Sequence, residues 1–190
     1  CDYAISASNK EALYVPRLEN LNTDAADYAP AFYGNKIVYN SARTDLKRKT
    51  NPKSTADWTG GSATNQPFIT QRSTTDGALQ KPEFLRSDLQ NTWNEGPVSF
   101  SADGKKVVFS RNNYINGARQ IAEKGLTMSL YTAEVDNGEW KNIRAFPYNG
   151  SDYGTGFPCL SPDGNTLWFA SNRPDGLGGW DIYVSEWTGT

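Results

Sequence analysis

The stretch SPDGNTLWFASNRPDGLGGWDIYV, residues 161–184, decides the fold. It opens with Asp163-Gly164, continues into the apolar run TLWFAS, and reaches a second run, DIYV, after a glycine-rich loop. An Asp-Gly pair between apolar runs is a strong hairpin signal, because type I′ turns need positive φ angles. The stretch therefore predicts antiparallel strands joined by a turn and a loop, although its aspartates and Arg173 resemble a catalytic or metal-binding loop at first sight.

The same pattern occurs three times along the chain. The segments PAFYGNKIVYNSAR (30–43), PVSFSADGKKVVFSRNN (97–113) and PCLSPDGNTLWFASNR (158–173) each begin with proline, which is expected as the first strand residue. An aromatic residue follows each turn glycine by five positions, and a polar cluster ends each segment. The strand after the turn is almost wholly apolar, which is typical of a strand buried on both faces.

Further hairpins follow the first two segments, with turns at Asp76-Gly77 and Asn137-Gly138. Two hairpins make a four-stranded antiparallel unit, and repetition of that unit is the signature of a β-propeller. We predict an all-β propeller with blades at 27–86 and 94–146, an incomplete three-stranded blade at 156–187, and an outer strand at 14–22 that closes the ring. Residues 1–13 read as a leader or the tail of a preceding helical repeat. Three blades are fewer than the usual four to eight, so we expect a larger propeller and a longer natural protein.

Composition excludes several function classes. The chain has no histidine, two cysteines and a net charge of −2. Histidine-dependent nucleophilic catalysis and most transition-metal sites are therefore absent, and we expect no cofactor, no nucleic-acid partner and no membrane span. Cys159 is predicted to be a buried free thiol. Cys1 is either a lipidated first residue or a cut site.

The motifs resemble a known family. The stretch 161–184 resembles the TolB-type, WD-like propeller repeat of periplasmic proteins. Asn94 to Gly104 with FSRNN, and Gly156 to Tyr183, resemble more closely the propellers of OmpA-family outer-membrane lipoproteins of Bacteroidota, of the PorE type in type IX secretion. The resemblance implies a non-catalytic scaffold in the periplasm, associated with the outer membrane, whose partners are envelope or secretion-system proteins. Peptidoglycan binding belongs, in that family, to domains that this sequence does not contain.

Polar residues are expected to gather at one edge of the blades. In an antiparallel pair, the start of the first strand and the end of the second lie at the same edge. Either these residues bind a partner or they tie adjacent blades together, and the sequence leaves both possibilities open. The partner-binding candidates are Arg43, Glu95, Asn112, Asn113, Tyr153, Asn172 and Arg173, with Trp58 beside the basic cluster at 45–53.

Three other interpretations remain weaker. A channel mouth could bind a peptide, a glycan or a peptidoglycan fragment. A pair of carboxylates could perform glycosidase chemistry without histidine. A Ca²⁺ site in PDGLGGWD would use Asp175, Asp181 and carbonyl oxygens, but turn chemistry explains the aspartates without a metal, so we assign no metal or catalytic residue.

Overall fold

The computed structural model describes residues 18–46, 65–85, 95–112 and 128–188, and within these ranges the protein is all-β. Its strands form three antiparallel sheets, which confirms the predicted fold class of propeller blades. The first two sheets have four strands in chain order, and the third has three with β10 in the middle. The strands are β1 Asp27–Tyr33, β2 Lys36–Ser41, β3 Gln66–Gln71, β4 Glu83–Phe84, β5 Glu95–Phe100, β6 Lys106–Asn112, β7 Met128–Asp136, β8 Glu139–Ala145, β9 Thr155–Leu160, β10 Thr166–Ser171 and β11 Asp181–Glu186.

The sheets pack face to face in series, first on second and second on third. One apolar core lies between the first two sheets, where Val38 meets Val98 and Phe109. A second core lies on the other face of the second sheet, where Val108 and Leu130 meet Leu167. The second sheet is therefore buried on both faces, which explains why β6 is apolar at consecutive positions.

Glycine turns join the first two strands of each sheet, at the positions that the repeat predicts. Gly104 and Gly164 have φ angles of +69°, and Gly34 has +59°. The Asp-Gly turns are not type I′, because only their glycines have positive φ. The Asn137-Gly138 turn has positive φ at both central residues, as type I′ requires.

The prolines lie elsewhere than predicted. Pro30, Pro97 and Pro158 stand inside β1, β5 and β9, at bulges that shift the register of each first strand. Each proline follows a residue with positive φ, namely Ala29 (+53°), Gly96 (+86°) and Phe157 (+54°). A bulge leaves an extra residue outside the ladder, so the proline costs no strand hydrogen bond there.

Among the described residues, hydrogen bonds made by polar side chains connect one sheet to the next. Ser110 Oγ accepts a hydrogen bond from Phe157 N at 3.3 Å, and Ser99 Oγ accepts one from Leu160 N at 2.9 Å. Asn40 Nδ2 donates to the Glu95 carbonyl oxygen. The hydrogen bonds of Asn40 and Ser110 are made with the bulged part of the first strand in the following sheet. The bulge therefore presents backbone groups to the neighbouring sheet.

Two expectations differ from the observed structure. Of the predicted outer strand at 14–22, residues 18–22 are described, and they form a turn at Asn20 and Leu21 without strand pairing. Cys159, predicted to be buried, is exposed, because it lies on the free face of the third sheet beside Trp168. Residues 1–17 lie outside the described residues, and with them Cys1.

Candidate binding edge

The candidate site is one edge of the three sheets, which we call the loop edge. It consists of the residues where each first strand begins, where each second strand ends, and where the connections to the third strands start. The opposite edge, which we call the turn edge, carries the glycine turns. At the loop edge an arginine, one or more aromatic rings and a carboxylate come together in every sheet.

In the first sheet, Arg43 is held from three sides. Its guanidinium donates to both carboxylate oxygens of Asp45, at 2.7 and 2.8 Å, and to the Tyr39 hydroxyl at 2.7 Å. It also lies 5.6 Å from the ring centroid of Phe68. The hydrogen bonds from Arg43 lower the pKa of the Asp45 carboxyl, and burial raises the pKa of the Tyr39 hydroxyl. The Arg43 side chain is only 7% exposed, so it holds its own loop rather than facing a partner.

In the second sheet, the arginine is Arg111, opposite Glu95 in the strand register. Its guanidinium contacts Glu95 Oε1 at 2.6 and 2.9 Å and lies about 5 Å from the rings of Phe109 and Tyr131. Glu95 is buried, with a side chain only 1% exposed. The pair therefore joins the first two strands of this sheet inside the protein.

In the third sheet, Arg173 is the most accessible of the three arginines, with a side chain 27% exposed. Its Nε donates to Asp175 Oδ1 at 2.6 Å, and its guanidinium lies 5.8 Å from the Tyr153 ring and 5.5 Å from the Tyr183 ring. Burial, and then the nearby Asp175 and Asp181 carboxylates, raise the pKa of the Tyr183 hydroxyl. The result is a cation stacked on two rings, with its counter-ion in solvent.

The loop that follows Arg173 is ordered by its own hydrogen bonds. Asp181 Oδ2 accepts from Leu177 N at 2.8 Å and from Gly178 N at 3.0 Å. A Cβ added at Gly176 would lie 2.2 Å from Asp181 Oδ2, so any larger residue there would displace the Asp181 carboxylate. Leu177 at its tip is fully exposed, and Trp180 is half exposed with its ring against Phe157. Asp181 thus accepts hydrogen bonds from the backbone amides of its own loop.

The structure brings together some of the predicted site residues. Tyr153 and Arg173 are in contact, and Asn172 Oδ1 accepts a hydrogen bond from Gly154 N at 2.6 Å at the same edge. Asn112 ends β6 at this edge, beside Arg111. Trp58 and Asn113 lie outside the described residues.

Sequence reasoning missed Arg111. Arg43 and Arg173 stand nine residues after their turn glycines, whereas Arg111 stands seven after Gly104, so alignment on the glycine selects Asn113 instead. The signal that finds Arg111 is its pairing with Glu95 across the hairpin. Each of the three arginines pairs with a carboxylate of its own sheet. These ion pairs therefore do not join adjacent blades, which was one of the two roles that the sequence left open.

Two further searches concern only the described ranges. In 18–46, 65–85, 95–112 and 128–188, no three acidic or cysteine side chains are grouped closely enough to hold a metal ion. Nor do these ranges contain a helix of the length and hydropathy that a membrane span requires.

The class that the fold and this edge define is a β-propeller module: antiparallel blades packed in series, with polar and aromatic loops along one edge. No family model and no curated protein matches the chain. Among solved structures, TolB from Acinetobacter baumannii is 14% identical with a TM-score of 0.47, and the match covers 83% of this chain and 29% of TolB. A prolyl endopeptidase structure also matches, with 19% identity and a TM-score of 0.37, over 85% of this chain and 19% of that protein. A puromycin-hydrolysing peptidase of Mycobacterium tuberculosis matches with 13% identity and a TM-score of 0.29, over 87% of this chain and 38% of that protein. The chain thus spans less than two-fifths of each of these proteins.

Proposed function

We propose that the chain is a non-catalytic, protein-binding propeller module of a periplasmic scaffold associated with the outer membrane, in a type IX secretion or envelope-anchoring complex. The assignment to that complex and compartment rests on the sequence resemblance. The binding role rests on the structure of the loop edge. Its contact surface is the third-blade site, which we define as Tyr153, Arg173, Leu177 and Trp180.

A single observation carries the binding role. The loop that bears Leu177 and Trp180 is fixed by Asp181, yet Leu177 is fully exposed and Trp180 is half exposed. The same loop follows the stacked Arg173. Exposed Leu and Trp on a rigid loop bind at a low cost in conformational entropy. Aromatic residues and arginine are also the types that contribute most to protein interfaces.

The pairing of three carboxylates at the loop edge supports the absence of catalysis. Asp45, Glu95 and Asp175 each form an ion pair with an arginine. A general acid at neutral pH needs a raised pKa, whereas the pKa of Asp45 is lowered. This favours a binding module over the glycosidase alternative.

The test uses a photo-crosslinking amino acid placed at position 177 in the full-length protein, in the native cell envelope. We expect crosslinks to a small set of envelope proteins, identified by mass spectrometry. The same probe at Ile143, an exposed residue of the outermost strand β8, is the matched control and is expected to give none of them. Equal yields from both positions would contradict the proposal.

A second pair of variants separates the loop's shape from its side chains. Gly176→Ala forces a Cβ onto Asp181 and is expected to abolish the crosslinks from position 177. Gly179→Ala meets no atom within 4 Å and should leave them unchanged. If Gly176→Ala keeps full crosslinking, the fixed loop is not what the partner recognises.

The alternative ligand is a glycan or a peptidoglycan fragment, or a short peptide. The half-exposed Trp180 ring favours this alternative, because sugars stack on exposed aromatic faces. It predicts that Trp180→Ala abolishes binding of soluble peptidoglycan fragments, measured by calorimetry, while Arg173→Met retains it. No binding of such fragments by the unmodified protein would rule out peptidoglycan as the ligand.

A further inference from the structure

The third-blade site lies in the acidic part of the chain. We propose that it binds a cationic segment of a partner protein, in which lysine or arginine side chains stand beside apolar ones. This rests on the protein-binding role proposed above and adds the chemistry of the partner. Three features of the site support it: the charges around Leu177 and Trp180, the way in which Arg173 is held, and the exposed aromatic rings.

The charge of the third blade is one-sided. Residues 147–188 carry five carboxylate side chains and a single basic one, Arg173, which gives a formal charge of −4 against −2 for the whole chain. Two of the carboxylates belong to the turn edge and three to the loop edge. The turn-edge pair is Asp163 and Glu186, and the loop-edge residues are Asp152, Asp175 and Asp181. Three negative charges against one positive leave the loop edge of this blade acidic, which favours a partner of opposite charge.

The single cation of the blade already has a counter-ion. Arg173 Nε donates to Asp175 Oδ1 at 2.6 Å, and the guanidinium lies against the Tyr153 and Tyr183 rings. The Asp175 side chain is 62% exposed, whereas that of Arg173 is 27% exposed. The arginine therefore holds a carboxylate out towards solvent. An anionic partner would have to compete with Asp175 for the guanidinium, whereas a cationic partner meets Asp175 directly.

The position of Asp175 stays accessible when a further blade packs on the sheet. Arg43 and Asp45 hold the same positions in the first blade, nine and eleven residues after the turn glycine, and form the same ion pair at 2.7 Å. One face of the first sheet is covered by the second sheet, yet the Asp45 side chain is 57% exposed. A next blade on the third sheet is therefore expected to leave Asp175 within reach of a partner.

Exposed aromatic rings lie at the same edge as the carboxylates. Trp180 is 48% exposed and Tyr148 is 53% exposed. The Trp180 ring lies over Gly154, where an added Cβ would be 2.8 Å from it, and the Tyr153 hydroxyl donates to the Tyr148 carbonyl oxygen at 3.2 Å. Lysine and arginine bind aromatic faces through their charge and cover apolar surface with their alkyl stems. A cationic side chain can therefore use the rings and the carboxylates together, while an apolar neighbour contacts Leu177.

The crosslinks from position 177 provide the first test, because mass spectrometry identifies the bound segment of the partner as well as the partner. We expect that segment to have a net positive charge and to contain apolar residues. A neutral or acidic segment would overturn the cationic assignment and leave the protein-binding role intact. The absence of any crosslink would contradict the binding role itself, and the cationic assignment with it.

The second test is the binding of a dye-labelled peptide of lysine, leucine and glycine to the full-length protein, measured by fluorescence anisotropy. Asp175→Asn removes one loop-edge charge and is expected to weaken binding about two- to fivefold, the effect of an exposed ion pair. The matched control is Glu186→Gln, which makes the same change in net charge at the turn edge and should leave the affinity unchanged. Both side chains are exposed, so we expect both variants to keep the fold, and equal urea midpoints would verify this.

The charge of the peptide and the salt concentration complete the test. Replacing every lysine of the peptide by glutamate should abolish binding. Raising the salt from about 0.1 M to about 1 M should weaken binding of the lysine peptide, because the screening length falls from about 10 Å to about 3 Å. Equal binding of the two peptides, no binding of the lysine peptide, or equal effects of Asp175→Asn and Glu186→Gln would overturn the proposal.

Discussion

Replacement of Arg111 by methionine tests whether the three arginine clusters differ as the structure indicates. Arg111→Met removes the guanidinium from Glu95, whose side chain is 1% exposed, and leaves a buried carboxylate without that counter-ion. Breaking a buried ion pair on one side costs about 3–5 kcal/mol. Arg111 itself is 20% exposed, so we expect the lower end, about 3 kcal/mol.

The matched control is Arg173→Met. Its counter-ion Asp175 is 62% exposed and stays solvated, so the change should cost about 0–1 kcal/mol. The double variant Glu95→Gln with Arg111→Met removes both charges and should recover much of the loss, because the buried carboxylate is removed together with its counter-ion.

Urea unfolding followed by tryptophan fluorescence measures these differences. With an m-value of about 2–3 kcal/mol/M, Arg111→Met should lower the midpoint by about 1 M or more and Arg173→Met by less than about 0.5 M. Equal midpoints for the two single variants would refute the assignment of Arg111 to the interior. A double variant as unstable as Arg111→Met would refute the buried-charge explanation.

Two further predictions concern backbone strain and acid stability. Ala29→Gly should stabilise the fold by about 0.5 kcal/mol in the same urea assay, because φ is +53° at Ala29 and the relief of backbone strain exceeds the entropic cost of glycine. The control Ala31→Gly should destabilise the fold by about 0.5–1 kcal/mol. Hydrogen bonds from Ser161 lower the pKa of Asp163 below 3.8, so its stabilising contribution is present above that value and is lost as the pH falls through the lowered pKa. Ser161→Ala should therefore raise the Asp163 pKa towards 3.8 in an NMR titration, and an unchanged pKa would contradict this. The difference in unfolding free energy between Ser161→Ala and the unmodified protein should be smaller at low pH than at neutral pH.

The strands were predictable because their signals are local. Glycine at a two-strand turn and apolar runs of fixed spacing placed the hairpins around Gly104 and Gly164, and the apolar run of β6 indicated burial on both faces. These features depend on backbone geometry and hydrophobic patterning within a few residues.

The details that failed depend on contacts between residues that are distant in the sequence. The sequence near Phe157 does not predict its positive φ, because that conformation is set by the bulge and by the hydrogen bond from Phe157 N to Ser110 Oγ in another sheet. Cys159 reads as a core residue, yet no described sheet covers its face. Arg111 was not predicted as a site residue because its partner Glu95 lies sixteen residues earlier, on the other strand of a hairpin.

The candidate site was predictable only as a region. The edge that carries Tyr153, Asn172 and Arg173 follows from antiparallel topology alone. Which arginine is accessible does not follow, since the exposure of Arg43 and Arg173 is set by how each loop folds back on its sheet.

The most direct test of the binding edge is hydrogen–deuterium exchange of the full-length protein with and without the envelope partner identified by crosslinking. We predict slower exchange at residues 173–181 in the complex and unchanged exchange at the turn edge, at Asn137 and Gly138. Protection at the Asn137-Gly138 turn with none at 173–181 would contradict the assignment of the loop edge as the binding surface.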